Sequence, residues 1–127
     1  MDQPLATFEV REKYLLVVGH GKRDNLRTMA EAAAMIVKKA VESNRNRMLV
    51  DYRMLEIEVH MSEAFNIVKG YENHQPELKN ITVAAVFDNK ALHFAHYWKE
   101  VSQKRGFRIE IFEDFDVAER WLLKQLN

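Results

Sequence analysis

Five consecutive residues, Gly19-His20-Gly21-Lys22-Arg23, put two glycines beside three basic or titratable side chains, the composition of a turn that could hold a phosphate. The spacing argues against a nucleotide. There is no Lys-Ser/Thr ending of a Walker loop, and no third glycine completes a dinucleotide fingerprint. What remains is a local group of cations able to receive a small anion or an acidic partner. His93 and His96 stand three apart, with Glu100 four further on. On a helix all three share a face and could approach a divalent metal, but nothing supplies a fourth ligand, so no metal is expected. His60 and His74 fall in or beside loops and read as solvated, and Glu56 with Glu58 reads as one solvated strand face. The chain has no cysteine, which removes a thiolate nucleophile, a disulfide and a Cys-ligated metal at once. No Gly-x-Ser-x-Gly elbow sets a serine beside a histidine. These residues lead to an expectation of binding without catalysis, and of no cofactor.

The elements that must position these groups follow from periodicity. Thr7-Phe8-Glu9-Val10 alternates as a half-buried strand does, Arg11-Glu12-Lys13 makes a polar turn, and Tyr14 to Val18 is a more buried strand. Asp24 or Asn25 is placed to cap a helix running to about Ser43, with Leu26, Met29, Ala33, Ile36, Val37 and Ala40 on its inner face. Arg47 to Tyr52 is a third strand. Met54 to Val59 alternates Leu55, Ile57 and Val59 against Glu56, Glu58 and His60, as an extended crossing segment would. The next helix begins near Met61 or Ser62, ends near Gly70 or Tyr71, and is expected to turn Met61, Ala64, Phe65 and Val68 inward. Ile81 to Phe87 is a strand apolar on both faces. A helix from about Ala91 to Lys104 stops at Gly106, a natural left-handed residue. Phe107 to Phe112 alternates as an edge strand, and Asp114 or Asp116 caps a last helix with Val117, Ala118, Trp121, Leu122 and Leu126 in one stripe.

The order is β-β-α-β-α-β-α-β-α, which implies an α/β fold with a mixed, mostly parallel five-stranded sheet and about four helices. A chain of 127 residues makes one domain, 1–127, around one core. Nineteen basic and nineteen acidic residues give no overall field toward nucleic acid, and no run reaches the ~20 apolar residues that cross a bilayer. Without cysteine or an apolar leader, a cytoplasmic location is expected. In open α/β sheets ligands gather beyond the carboxyl ends of the strands. That edge should carry His20, Lys22 and Arg23, then Arg53, then Asp88, Asn89 and Lys90.

The last quarter carries a resemblance. Phe94 and Ala95, Gly106-Phe107-Arg108, and Phe112-Glu113-Asp114 followed by Ala118-Glu119-Arg120-Trp121-Leu122 match the pattern F-x-D-x-x-x-A-x-x-W-L and the elements before it. In these residues and in element order the chain resembles a SpoIIAA-like member of the STAS superfamily, which includes bacterial anti-sigma-factor antagonists and domains attached to anion transporters. The resemblance implies a βα superhelix and recognition of a protein partner, with no reaction of its own. Antagonists of this kind carry an Asp-Ser pair at the start of the second helix and are switched by phosphorylation of the serine. Here the region reads Glu58-Val59-His60-Met61-Ser62-Glu63, so the pair is absent and only Ser62 remains as a candidate, its plainer role being an N-cap.

Both alternating sets of the central strands are largely apolar, so both sheet faces need cover. With helices mostly on one face, as the resemblance implies, the other would be shielded by the Leu55-Ile57-Val59 segment, by a second copy in a homodimer, or by an apolar ligand. Two readings follow: a protein-binding regulatory module, and a carrier of a small apolar, acyl or anionic ligand.

Overall fold

A computed structural model describes residues 4–125; Leu126, assigned above to the last helix, lies outside the described residues. In chain order the elements are β1 (Ala6–Val10), β2 (Leu15–Gly19), β3 (Lys22–Arg23), α1 (Leu26–Glu42), β4 (Arg47–Asp51), β5 (Glu56–Ile57), α2 (Glu63–His74), β6 (Thr82–Val86), α3 (Leu92–Lys104), β7 (Arg108–Phe112) and α4 (Phe115–Leu123). The main sheet has the order β1-β2-β4-β6-β7. β1 and β2 form an antiparallel hairpin, Ala6 opposite Gly19 and Val10 opposite Leu15, and every other pairing in the sheet is parallel. The expected α/β architecture is present, and the segment after Met54 adds a short parallel ladder in which β5 pairs with β3.

Local chemistry sets the element ends. The Asn25 side chain accepts from Thr28 N–H at the start of α1, and the Asp114 side chain accepts from Val117 N–H at the start of α4, each satisfying a donor the helix leaves free. Gly106, at φ 91°, turns the chain out of α3 into β7.

Strand alternation divides the interior in two. Leu15, Val17, Met48, Val50, Val83 and Phe87 face α1, α2 and α3. Leu49, Ala84 and Val86 face the opposite way and meet Ala118 and Leu122 of α4. The cover expected from a second copy, an apolar ligand or the Leu55 segment is therefore supplied by the chain's own last helix. Leu55 and Ile57 instead pack on the three-helix side. The argument for a homodimer that rested on a bare sheet face falls with this.

α2 corrects a second expectation. It buries Ala64, Ile67 and Val68, while Met61 and Phe65 are 38% and 43% exposed. Two apolar phases share Ala64 and Val68, and the one containing Ile67 is turned inward. The Phe65 ring, left outside, carries the Arg105 guanidinium 5.4 Å and the Lys69 ammonium 6.0 Å from its centre. Such contacts are each worth about 0.5–1 kcal/mol at a surface and soften the cost of exposing the ring. The helix also runs past Gly70 to His74.

Candidate functional site

The basic residues expected at the strand ends do not form one free cluster. Lys22 is ion-paired with Glu58 at 3.4 Å. His20 shares a hydrogen bond with the Thr7 hydroxyl at 2.9 Å. Arg53 donates to both carboxylate oxygens of Asp51, at 2.9 and 2.8 Å, and lies over the Phe115 ring at the start of α4. Burial pushes the Asp51 carboxyl up, but the bonds from Arg53 outweigh it and hold the group below its ordinary value. Asp88 accepts from Lys90 N–H in a short turn, and Lys90 with Asn89 is exposed. The positive charges of Lys22 and Arg53 are thus already met by carboxylates.

Arg23 behaves differently. A Lys-Arg pair in a turn reads as solvated, yet Arg23 is 2% exposed. The β3–β5 ladder carries it inward, while Lys22 on the same short strand points to water. Its guanidinium donates to the carbonyls of His20 at 2.8 Å and Leu5 at 2.7 Å, and no carboxylate among the described residues pairs with it. Desolvation lowers its pKa, and the adjacent Tyr52 works in the opposite direction. Burial pushes the Tyr52 phenol up to about 12, so its hydroxyl stays protonated and able to donate. Gly19 makes room for this ring: a Cβ there would come within 2.7 Å of Tyr52 Cδ1.

Arg23 and Tyr52 border a cavity of ≈60 Å³ between the sheet and the helices, walled otherwise by apolar groups such as Met29, Ile36, Leu55, Phe94 and Trp98. Tyr71 closes one side, its hydroxyl accepting from Trp98 Nε1 at 3.1 Å. Beyond Met29, Ala33 and Tyr71, which line both spaces, a groove of ≈220 Å³ opens between α1 and α2, floored by Leu26, Ala30, Ile67 and Gly70. Tyr52 and the cavity escaped the sequence reading; the only local signal was an arginine two residues after a glycine, which at sequence level fits a turn equally well.

At the start of α2, Ser62 does not cap the helix. Its backbone N–H donates to His60 Nδ1 at 3.2 Å, which makes that nitrogen an acceptor, and the Ser62 hydroxyl at 2.8 Å therefore donates to it. Both side chains are exposed, and no carboxylate holds the other ring nitrogen among the described residues. Met54, in the loop before β5, is 63% exposed, and Met61 and Phe65 follow it in the same region of the chain. His93 and His96 are exposed on α3, and no group of three metal-ligating side chains occurs among the described residues. None of the described helices is long and apolar enough to cross a membrane.

Neither a family model nor a curated protein matches the chain. Solved structures do. An anti-sigma factor antagonist from Mycobacterium paratuberculosis superposes with a TM-score of 0.63 at 13% identity, over 94% of this chain and 93% of that one. An uncharacterised DUF3478-family protein with a SpoIIAA-like fold, from Shewanella loihica PV-4, gives 0.55 at 20% identity over 96% and 98%. The anti-sigma factor antagonist SpoIIAA, in its unphosphorylated form, gives 0.56 at 9% identity over 96% and 99%. Together with the hairpin, the parallel crossovers and the strand order above, these likenesses establish that the chain has the STAS/SpoIIAA-like fold.

Proposed function

We propose that this protein is a non-enzymatic docking module of the cytoplasm, and that a protein partner binds where α2 begins. The observation that carries the reading is the apolar group exposed about the start of α2: Phe65 in its first turn, Met61 in the turn before it and Met54 in the loop before β5 all present large apolar side chains to water. Lys69 and Arg105 beside the Phe65 ring favour a partner that brings apolar groups rimmed by acidic ones. Two of the superposed structures are antagonists of anti-sigma factors, proteins whose role by name is directed at another protein. The Ser62–His60 contact is open to water and lacks an orienting carboxylate, so it supports no nucleophilic step. With no Asp-Ser pair, partner binding here does not depend on phosphorylation of Ser62.

The test uses the whole chain as bait in lysate of its own host. Phe65→Asp, which puts a like charge before an acidic partner, should reduce recovery of the specific partner by about tenfold, the equivalent of 1.4 kcal/mol. Ser62→Glu should weaken it less. Val117→Asp, at an exposed position on α4 across the sheet, should change nothing. Recovery equally insensitive to Phe65→Asp and Ser62→Glu, with circular dichroism unchanged, would remove this surface from consideration.

A further inference from the structure

The cavity beneath α1 combines two features that are each costly when left alone. One is a guanidinium removed from water without a counter-charge: of its five N–H donors two reach backbone carbonyls, and no ion pair to it exists among the described residues. The other is an apolar void whose walls Met29, Ala33 and Tyr71 also line the α1–α2 groove. The Tyr52 hydroxyl next to Arg23 makes no hydrogen bond among the described residues, although it is protonated at any pH below about 12. A buried positive charge and a phenol donor at one end, with apolar walls that adjoin a groove, are complementary to one class of molecule.

We propose that this is a binding site for an aliphatic monocarboxylate, its head group between Arg23 and Tyr52 and its chain running through the cavity past Met29 and Tyr71 into the groove between α1 and α2. A carboxylate accepts from a guanidinium and a phenol in charge-assisted hydrogen bonds, roughly twice as strong as neutral ones, and neutralises the buried charge. The chain displaces no ordered polar group, because the cavity walls are almost wholly apolar. Small residues let the channel exist at all: Ala30 and Ala33 on α1 and Gly70 on α2 line the groove where larger side chains would close it. Arg23 and Tyr52 select the head group, and Met29 with Tyr71 forms the constriction the chain must pass. The site is separate from the surface of Met61 and Phe65, so its occupancy can be tested without a protein partner.

Octanoate is a suitable probe, titrated calorimetrically into the full-length protein, with 1-octanol as the uncharged comparison and Trp98 emission, read in a Trp121→Phe background, as the reporter of location. Octanoate should bind with one-to-one stoichiometry and shift the Trp98 emission, and octanol should bind about tenfold more weakly or worse. Arg23→Met should abolish the preference for octanoate. Should that variant fail to fold, Tyr52→Phe, which removes one oxygen, should still weaken octanoate several-fold and leave octanol unchanged. Ala33→Leu should obstruct both ligands. No saturable heat with octanoate, equal affinity for octanol, or binding that leaves Trp98 unaffected would each overturn the assignment.

Discussion

On one side of the sheet a nine-residue helix, α4, lies so close to β4 and β6 that Leu49, Ala84, Val86, Ala118 and Leu122 are all wholly buried. On the other side, α1, α2 and α3 share the work and leave a cavity and a groove between them. Charge divides less evenly: Arg47, at the start of β4, donates to the Gln125 carbonyl just beyond α4, and Arg105 pairs with Glu72 between α3 and α2. On the α4 side Arg53 meets Asp51, and Tyr14 with Arg11 meets Glu119, each through direct hydrogen bonds. On the three-helix side Arg23 is buried with backbone carbonyls alone. The contrast comes from geometry: alanines on both α4 and the strand allow one helix to sit flat, whereas three helices fanned across a twisted sheet cannot all sit flat. Beneath α4 the centre of the sheet is close-packed, and beneath the three helices an enclosed part of it is left open.

This comparison is open to attack by truncation. Leu122→Ala should cost about 3–4 kcal/mol, because the close-packed α4 side cannot collapse around the hole. Met29→Ala, at a half-buried position already facing a void, should cost nearer 1 kcal/mol. Urea denaturation of the two variants measures the difference, and equal losses would mean that the two sides are packed alike. Enlargement should separate them by sign. Ala118→Leu has no room and should lose about 1–3 kcal/mol through overpacking, while Ala33→Leu, beside the cavity and groove, should gain up to about 1 kcal/mol.

What the sequence made legible was what local forces decide. Asn25, Asp114 and Gly106 act within a few residues, and their roles as caps and stop appear in the structure as the residue types imply. The strands were legible because apolar runs are bounded by polar turns. The side of the sheet that α4 covers was not, since periodicity gives a helix its apolar stripe but not the direction in which the chain leaves β7. The α2 phase was ambiguous because Met61-Ala64-Phe65-Val68 and Ala64-Ile67-Val68 both satisfy helical spacing, and only the fit of Ile67 against α1 and α3 separates them. Burial of Arg23 was invisible for a stronger reason: it depends on Leu5, β5 and Tyr52, which are remote in sequence and converge only in the fold.

The polar contacts of the α4 side give the smallest and most specific test. The Tyr14 hydroxyl donates to Glu119 Oε2 at 2.5 Å and accepts from Arg11 Nη1 at 2.5 Å, tying the hairpin to α4. Burial, and then the bond to Glu119, push the phenol up to about 12 from an ordinary value of 10.0. A group whose pKa is raised by folding stabilises the fold while it is protonated in both states, so its contribution is complete below pH 10 and is lost as pH climbs toward 12. Tyr14→Phe should therefore cost about 0.5–1.5 kcal/mol at neutral pH, the usual worth of a hydrogen bond. The gap between wild type and variant should close across that alkaline window, because ionisation of Tyr14 removes the donated bond that the variant lacks from the start. A gap unchanged at pH 12, followed by thermal melts at matched ionic strength, would show that Tyr14 holds α4 by its ring alone.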